Sequence, residues 1–166
     1  MTFSSPYEHG FARVAAITIP SHPGEPDRNV PEIAAAARQA ARQGACVAVF
    51  PEMCISGYTL DDLVFSERLL ASVEKGIEML AKATSDCAEL IVVGAPLRIA
   101  GQIYDCAVFL ARGRVVAVTP KVFPSSAAYE KRYFTSGAHL PADASWYAPQ
   151  VPGASEAPIG NGVIHI

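Results

Sequence analysis

Contiguous apolar runs alternate along this chain with stretches in which apolar residues recur every three to four positions, a pattern of strands separated by helices. The run 13–19, Arg-Val-Ala-Ala-Ile-Thr-Ile, is rich in β-branched residues and stops at Pro20, which predicts a first, interior strand. An alanine-rich helix is predicted from Val30 to Gln43, with Pro31 accommodated in its first turn and Gly44 as its stop. Ala45 to Phe50 is apolar throughout rather than alternating, which predicts a strand buried on both faces. A second helix is predicted over 66–83, with Ser66 as N-cap and Leu69, Leu70, Val73, Ile77 and Leu80 on one stripe. Leu90 to Val93 reads as a short buried strand, and the runs 104–110 and 115–118 flank Ala111-Arg112-Gly113-Arg114, a turn suited to a hairpin.

The order β, α, β, α, β, hairpin predicts an α/β layered fold. Beyond Lys121 the character changes: a short charged stretch, Tyr129-Glu130-Lys131-Arg132, precedes a segment from Gly137 to Gly162 dense in Pro, Gly and Ala. Only Gly162 to Ile166 begins to read as a strand again, so the chain looks cut within an element, and an incomplete sheet would leave an open edge and partly uncovered helix faces. Neither a P-loop nor a G-x-G-x-x-G pattern occurs.

A length of 166 residues fits one domain, and 51% hydrophobic residues suffice for a buried core. The net charge of −3, with basic residues scattered, makes nucleic acid and anionic membrane poor partners. No apolar stretch approaches the roughly 18 residues of a spanning helix, and the N-terminus lacks the regions of a signal peptide, so a cytoplasmic location is expected. Cys46, Cys54, Cys87 and Cys106 show no C-x-x-C spacing and are expected reduced and mostly buried. His9, His22, His139 and His165 have no carboxylate or cysteine at ligand spacing, so no metal site is expected.

Two opposite charges close apolar runs: Glu52 follows Pro51 after the run 45–50, and Lys121 follows Pro120 after the run from Val115. A strand end holds its last side chain rigidly, so a carboxylate and an ammonium delivered this way can meet around a substrate. Glu52 is either a solvated strand-end carboxylate or, partly desolvated, a general base with a raised pKa. Lys121 is either a snorkelling surface lysine or a fixed charge facing an oxyanion. Glu130 lies in a charged turn or helix face, and Cys54, among Met53 and Ile55, reads as a packed thiol rather than a nucleophile.

Val-Phe-Pro-Glu-Met-Cys-Ile-Ser-Gly-Tyr (49–58) resembles the first motif of the nitrilase, or carbon–nitrogen hydrolase, superfamily, and Val118-Thr119-Pro120-Lys121 resembles its second. The runs 92–96 and 103–107 match the connecting strands. The opening 7–15 and Glu130-Lys131-Arg132-Tyr133-Phe134 resemble, more narrowly, the N-terminal glutaminase domain of bacterial glutamine-dependent NAD synthetases. The resemblance runs over about the first 137 residues and departs after Lys121, where Val-Phe-Pro-Ser-Ser-Ala-Ala replaces the usual Leu-Pro and aromatic.

The resemblance implies a nitrilase-like α-β-β-α sandwich, incomplete in this chain, with residues 1–166 forming the N-terminal portion of a glutaminase domain. It implies a Glu-Lys-Cys triad hydrolysing the side-chain amide of glutamine to supply ammonia for NAD biosynthesis. Glu52 would be the general base, Lys121 would stabilise the oxyanion, Glu130 would position lysine and substrate, and Tyr58 would line the glutamine pocket. The family cysteine, in an Ile-Cys-Glu-Asp type motif after the lysine, has no counterpart between Lys121 and Ile166, so this chain is expected to be inactive alone. No cofactor is expected here; ATP and Mg would belong to a separate synthetase domain, absent from this chain, that receives the ammonia. A homo-oligomer is expected. The competing readings are a stand-alone amidase acting on another small amide and a non-catalytic nitrilase-like binding or assembly module.

Overall fold

The computed structural model describes residues 5–87, 89–126 and 130–164. Five strands form one sheet in the order β1 (Val14–Ala16), β2 (Val47–Val49), β3 (Leu90–Ile99), β4 (Gln102–Ala111) and β5 (Arg114–Pro120). The first three run parallel and the last three antiparallel, so the sheet is mixed. The parallel crossovers carry the two long helices, α1 (Pro26–Arg42) and α2 (Glu67–Ala83), as the alternating pattern requires. Among the described residues no helix is long and apolar enough to cross a membrane.

The Ser66 hydroxyl accepts from Leu69 N–H at 3.4 Å, so it caps α2 as expected. α1 begins four residues earlier than the apolar pattern suggests, because Pro26 takes an opening position. Pro31 therefore lies inside the helix and not in its first turn. Both helices bury their apolar stripes on one face of the sheet: Ile33, Ala37, Val73, Ile77 and Leu80 join Ile91, Val93, Ala95, Leu97, Tyr104, Cys106 and Val108 in a single core. Trp146, Ala148, Val151 and Ala154, from the Pro- and Gly-rich C-terminal segment, complete that core.

The side chains between these point to the opposite face. There Val14 is 65% exposed, Val49 is 42% exposed, and Val92, Ala107 and Phe109 are half-buried. This corrects three expectations. Among the described residues β1 is an edge strand, not an interior one; β2 is buried on one face only; and the thinly covered apolar surface belongs to the sheet, since the helix stripes are buried. Apolarity on both faces of a strand does not reveal which face the helices take.

β3 is also longer than expected. Pro96 and Arg98 suggest an early end, but β3 continues to Ile99 and turns through Ala100-Gly101, both at positive φ, into β4. Proline is tolerated because β2 pairs only with Leu90 to Val92, leaving no second ladder at Pro96 to break. The strand expected at 162–166 is not formed by Gly162 to Ile164, and residues 165 and 166 lie outside the described residues; instead Ile159 makes a parallel bridge to Val118.

Candidate functional site

β2 ends at Val49, and the chain turns immediately through the loop carrying Glu52. Gly57 N–H donates to Met53 carbonyl at 2.7 Å, and Ile55 N–H donates to Gly94 carbonyl at 3.1 Å, fastening the loop to β3. The loop crosses β3 so closely that a Cβ on Gly94 would lie 2.7 Å from Glu52 Cα. From the other side, the buried Asn29 of α1 accepts from His22 N–H at 2.8 Å and donates to the carbonyls of His22 and Ile55, both at 3.0 Å. Gly57, at φ +81°, would drive a Cβ to 2.6 Å from Pro23 Cα, so glycine is required there. Glu52 is thus held by packed backbone on both sides.

Lys121 follows the last residue of β5, its N–H donating to Asp105 carbonyl at 2.8 Å. Its ammonium Nζ stands 2.5 Å from Glu52 Oε1, 2.9 Å from Glu130 Oε2 and 3.8 Å from Asp105 Oδ2. Glu130 opens a short helix, α3 (Glu130–Tyr133), and is buried. It accepts from Ser125 N–H at 2.6 Å and from Tyr58 hydroxyl at 2.9 Å. All four residues singled out in the sequence, Glu52, Tyr58, Lys121 and Glu130, therefore meet in one constellation, even though residues 127–129 before Glu130 lie outside the described set.

Asp105, in the middle of β4, was missed. Its signal was available: a lone carboxylate in the apolar run 103–110, on the strand face opposite Tyr104 and Cys106. It is buried, and hydrogen-bonds the Glu52 carboxylate. An open groove of about 430 Å³ runs from Glu52, Asp105 and Lys121 over the apolar sheet face formed by Val49, Val92 and Ala107.

The electrostatics follow from these contacts. The hydrogen bond from Asp105, reinforced by Lys121, holds the Glu52 carboxyl below its ordinary value against partial burial. This corrects the expectation of a raised value: Glu52 is a standing carboxylate at neutral pH because it is 38% exposed and doubly hydrogen-bonded. Burial, with Glu52 beside it, pushes Asp105 up to about 8. Burial lowers the Lys121 value, but its hydrogen bonds to Glu52 and Glu130 outweigh this and raise it overall. Burial raises Glu130, yet Lys121, Ser125 N–H and Tyr58 together bring it below its ordinary value. The hydrogen bond to Glu130 raises Tyr58 to about 12.

Cys54 is buried with Sγ 3.8 Å from Gly94 carbonyl, and burial pushes its thiol up to about 12, so it is an inert core group as the sequence suggests. Cys106 is buried in the helix-side core and raised further by desolvation. Cys46 and Cys87 lie before β2 and after α2, and all four are free.

Residues 13–155 match the family model described as carbon-nitrogen hydrolase. Among curated proteins, the chain is 40% identical over 139 residues to the glutamine-dependent NAD(+) synthetase of Mycobacterium bovis, covering 82% of this chain. It is 38% identical over 139 residues to the synthetase of Mycobacterium leprae and 34% identical over 127 to that of Xylella fastidiosa. It spans about a fifth of the length of these relatives. Among solved structures, the glutamine-dependent NAD(+) synthetase of Cytophaga hutchinsonii superposes with a TM-score of 0.79 at 24% identity, over 93% of this chain and 26% of that one. An amidase from Nesterenkonia sp. superposes with a TM-score of 0.63 at 23% identity, over 75% of this chain and 48% of that one, a likeness of fold.

Proposed function

Because the chain belongs to the carbon–nitrogen hydrolase family, we propose that it supplies the acid–base and anion-stabilising half of a glutamine-hydrolysing site that delivers ammonia for NAD synthesis. The observation that carries this reading is the Lys121 ammonium bridging Glu52 at 2.5 Å and Glu130 at 2.9 Å at the end of an open groove. The curated relatives reported above, all named glutamine-dependent NAD(+) synthetases, support glutamine as the amide.

In this reading a thiol from outside these residues attacks the side-chain amide carbon. Glu52, already ionised, takes the thiol proton and passes it to the leaving ammonia; water, deprotonated by the same carboxylate, then splits the thioester to glutamate. Lys121 faces the oxygen on which negative charge develops, where a fixed cation in a sheltered site acts most strongly. Glu130 holds the ammonium in place and Tyr58 holds Glu130. ATP and Mg would act in the synthetase portion of the longer protein.

The test is an NMR titration of the 166-residue chain with L-glutamine, asparagine and glutamate, alongside an ammonia-release assay. Saturable shifts at Tyr58, Lys121 and Glu52, larger with glutamine and lost in Lys121→Ala, are expected, with no ammonia above blank. Absence of any shift overturns glutamine as ligand. A larger response to a different small amide moves the assignment to a stand-alone amidase. Ammonia release abolished by Glu52→Ala but untouched by Cys54→Ala overturns the external thiol.

A further inference from the structure

Three carboxyl groups surround one ammonium. With all of them ionised the cluster would carry a net charge of −2, with Asp105 and Glu130 only 5% and 4% exposed. Such an arrangement is strongly unfavourable, because buried charge needs a partner and two carboxyls in hydrogen-bond contact do not both ionise. Lys121 spends its closest contacts on Glu52 and Glu130; Asp105 is the most distant of the three, at 3.8 Å. Glu130 has two further donors, Ser125 N–H and Tyr58 hydroxyl, and Glu52 is 38% open to solvent. Asp105 has only this longer contact to the cation and is almost fully shielded from solvent.

We propose that Asp105 is a positioning residue that keeps its carboxyl proton at neutral pH and donates it to Glu52, fixing which carboxylate of the cluster is free to accept a proton. This deepens the reading of the site given above and rests on it for its catalytic meaning. The groups facing Asp105 are Glu52 from the loop after β2, Lys121 from the end of β5 and Glu130 from α3; its β3 partner, Pro96, carries no charge. The same residue grips the other half of the pair, since its backbone carbonyl accepts the Lys121 N–H. Asp105 therefore sets the distance between base and cation through its backbone and the protonation of the base through its side chain. The elevation of its own carboxyl to about 8 by burial agrees with this assignment.

The experiment is a carboxyl ¹³C NMR titration of the full chain, comparing the parent with Asp105→Asn and Asp105→Ala. The Asp105 carboxyl is expected to stay protonated through pH 7, and the Glu52 midpoint to lie below the usual glutamate value of about 4.3. Asn, which still presents a donor, keeps that midpoint low; Ala raises it by about 1 unit or more. Titration of Asp105 below about pH 5, or a Glu52 midpoint unmoved in Asp105→Ala, overturns the proposal. A purely structural aspartate would change the melting temperature and leave the midpoint alone. Should Asp105→Ala fail to fold, the parent and Asp105→Asn decide: the parent loses stability between about pH 4 and 8 and the Asn variant does not, whereas parallel curves overturn the proposal. None of these readouts needs glutamine, so failure of the glutamine assignment is seen separately in the ligand titration.

Discussion

Replacing Gly94 by alanine places one methyl group on β3 where the Glu52 loop crosses it. The backbone φ of Gly94 lies outside the left-handed region, so the substitution carries no conformational penalty of its own and isolates the steric effect. The new Cβ would lie 2.7 Å from both Glu52 C and Glu52 Cα and closer still to Met53 N, all of them backbone atoms that cannot rotate away. The loop must retreat by about 1 Å or somewhat more to restore ordinary contact. Overpacking of this kind costs about 1–3 kcal/mol, and weakening the Ile55 N–H bond to Gly94 carbonyl adds about 1, so a loss of about 2–4 kcal/mol is expected. Urea denaturation followed by circular dichroism reads this as a lower midpoint at unchanged slope. In the same sample the Glu52 and Lys121 side-chain resonances should move apart from their paired positions. Gly101→Ala is the control: its φ of +78° imposes strain but nothing lies within 4 Å, so it costs about 1 kcal/mol and leaves the site resonances in place. A Gly94→Ala variant destabilised by less than about 0.5 kcal/mol, with Glu52 and Lys121 unshifted, would refute the idea that β3 gauges the position of the base.

Asn29→Ala removes the three hydrogen bonds that tie α1 to the loops on either side of it and strands a buried Ile55 carbonyl; a loss of about 2–4 kcal/mol in chemical denaturation is expected. Asp105→Asn should flatten the dependence of stability on pH. In the parent the folded state keeps the Asp105 proton up to about pH 8 while the unfolded chain releases it in the ordinary aspartate range, so stability contributed by this proton is full at acid pH and falls as pH rises toward 8. Thermal melts across that interval show the slope in the parent and its loss in the variant. Lys121→Met leaves Glu52 and Glu130 without their cation, so the buried Glu130 carboxyl should titrate at higher pH by at least about 1 unit, read by the same ¹³C method. Tyr58→Phe removes one donor from Glu130 and is expected to weaken the glutamine response while costing about 1 kcal/mol of stability or less.

The sheet is where local pattern and three-dimensional arrangement part. The β-branched run at 13–19 correctly marks a strand, but nothing in it distinguishes an edge from an interior position, since that depends on which strands pair beside it. The run 45–50 is apolar at every position, yet only one side of β2 is covered by helices. Composition reports that both faces avoid water; it does not report what meets them. The same limit explains the length of β3, which Pro96 makes look short until the end of β2 is located beside it.

The sequence by itself determined the order of elements, the helix stripes, the Ser66 cap, and the delivery of Glu52 and Lys121 to strand ends, because these depend on neighbours a few residues apart. Its motifs also determined the family. Only the tertiary structure decided that Glu52 and Glu130 share the Lys121 ammonium, that Gly94 and Asn29 hold the base in place, and that Asp105 joins the cluster from β4. Those relations link residues from 9 to 78 positions apart, or turn on a missing Cβ, and their energies depend on distance and burial. A lone aspartate in an apolar strand announces that something unusual is buried; the protons it shares and the base it steadies are set by what the fold brings within reach.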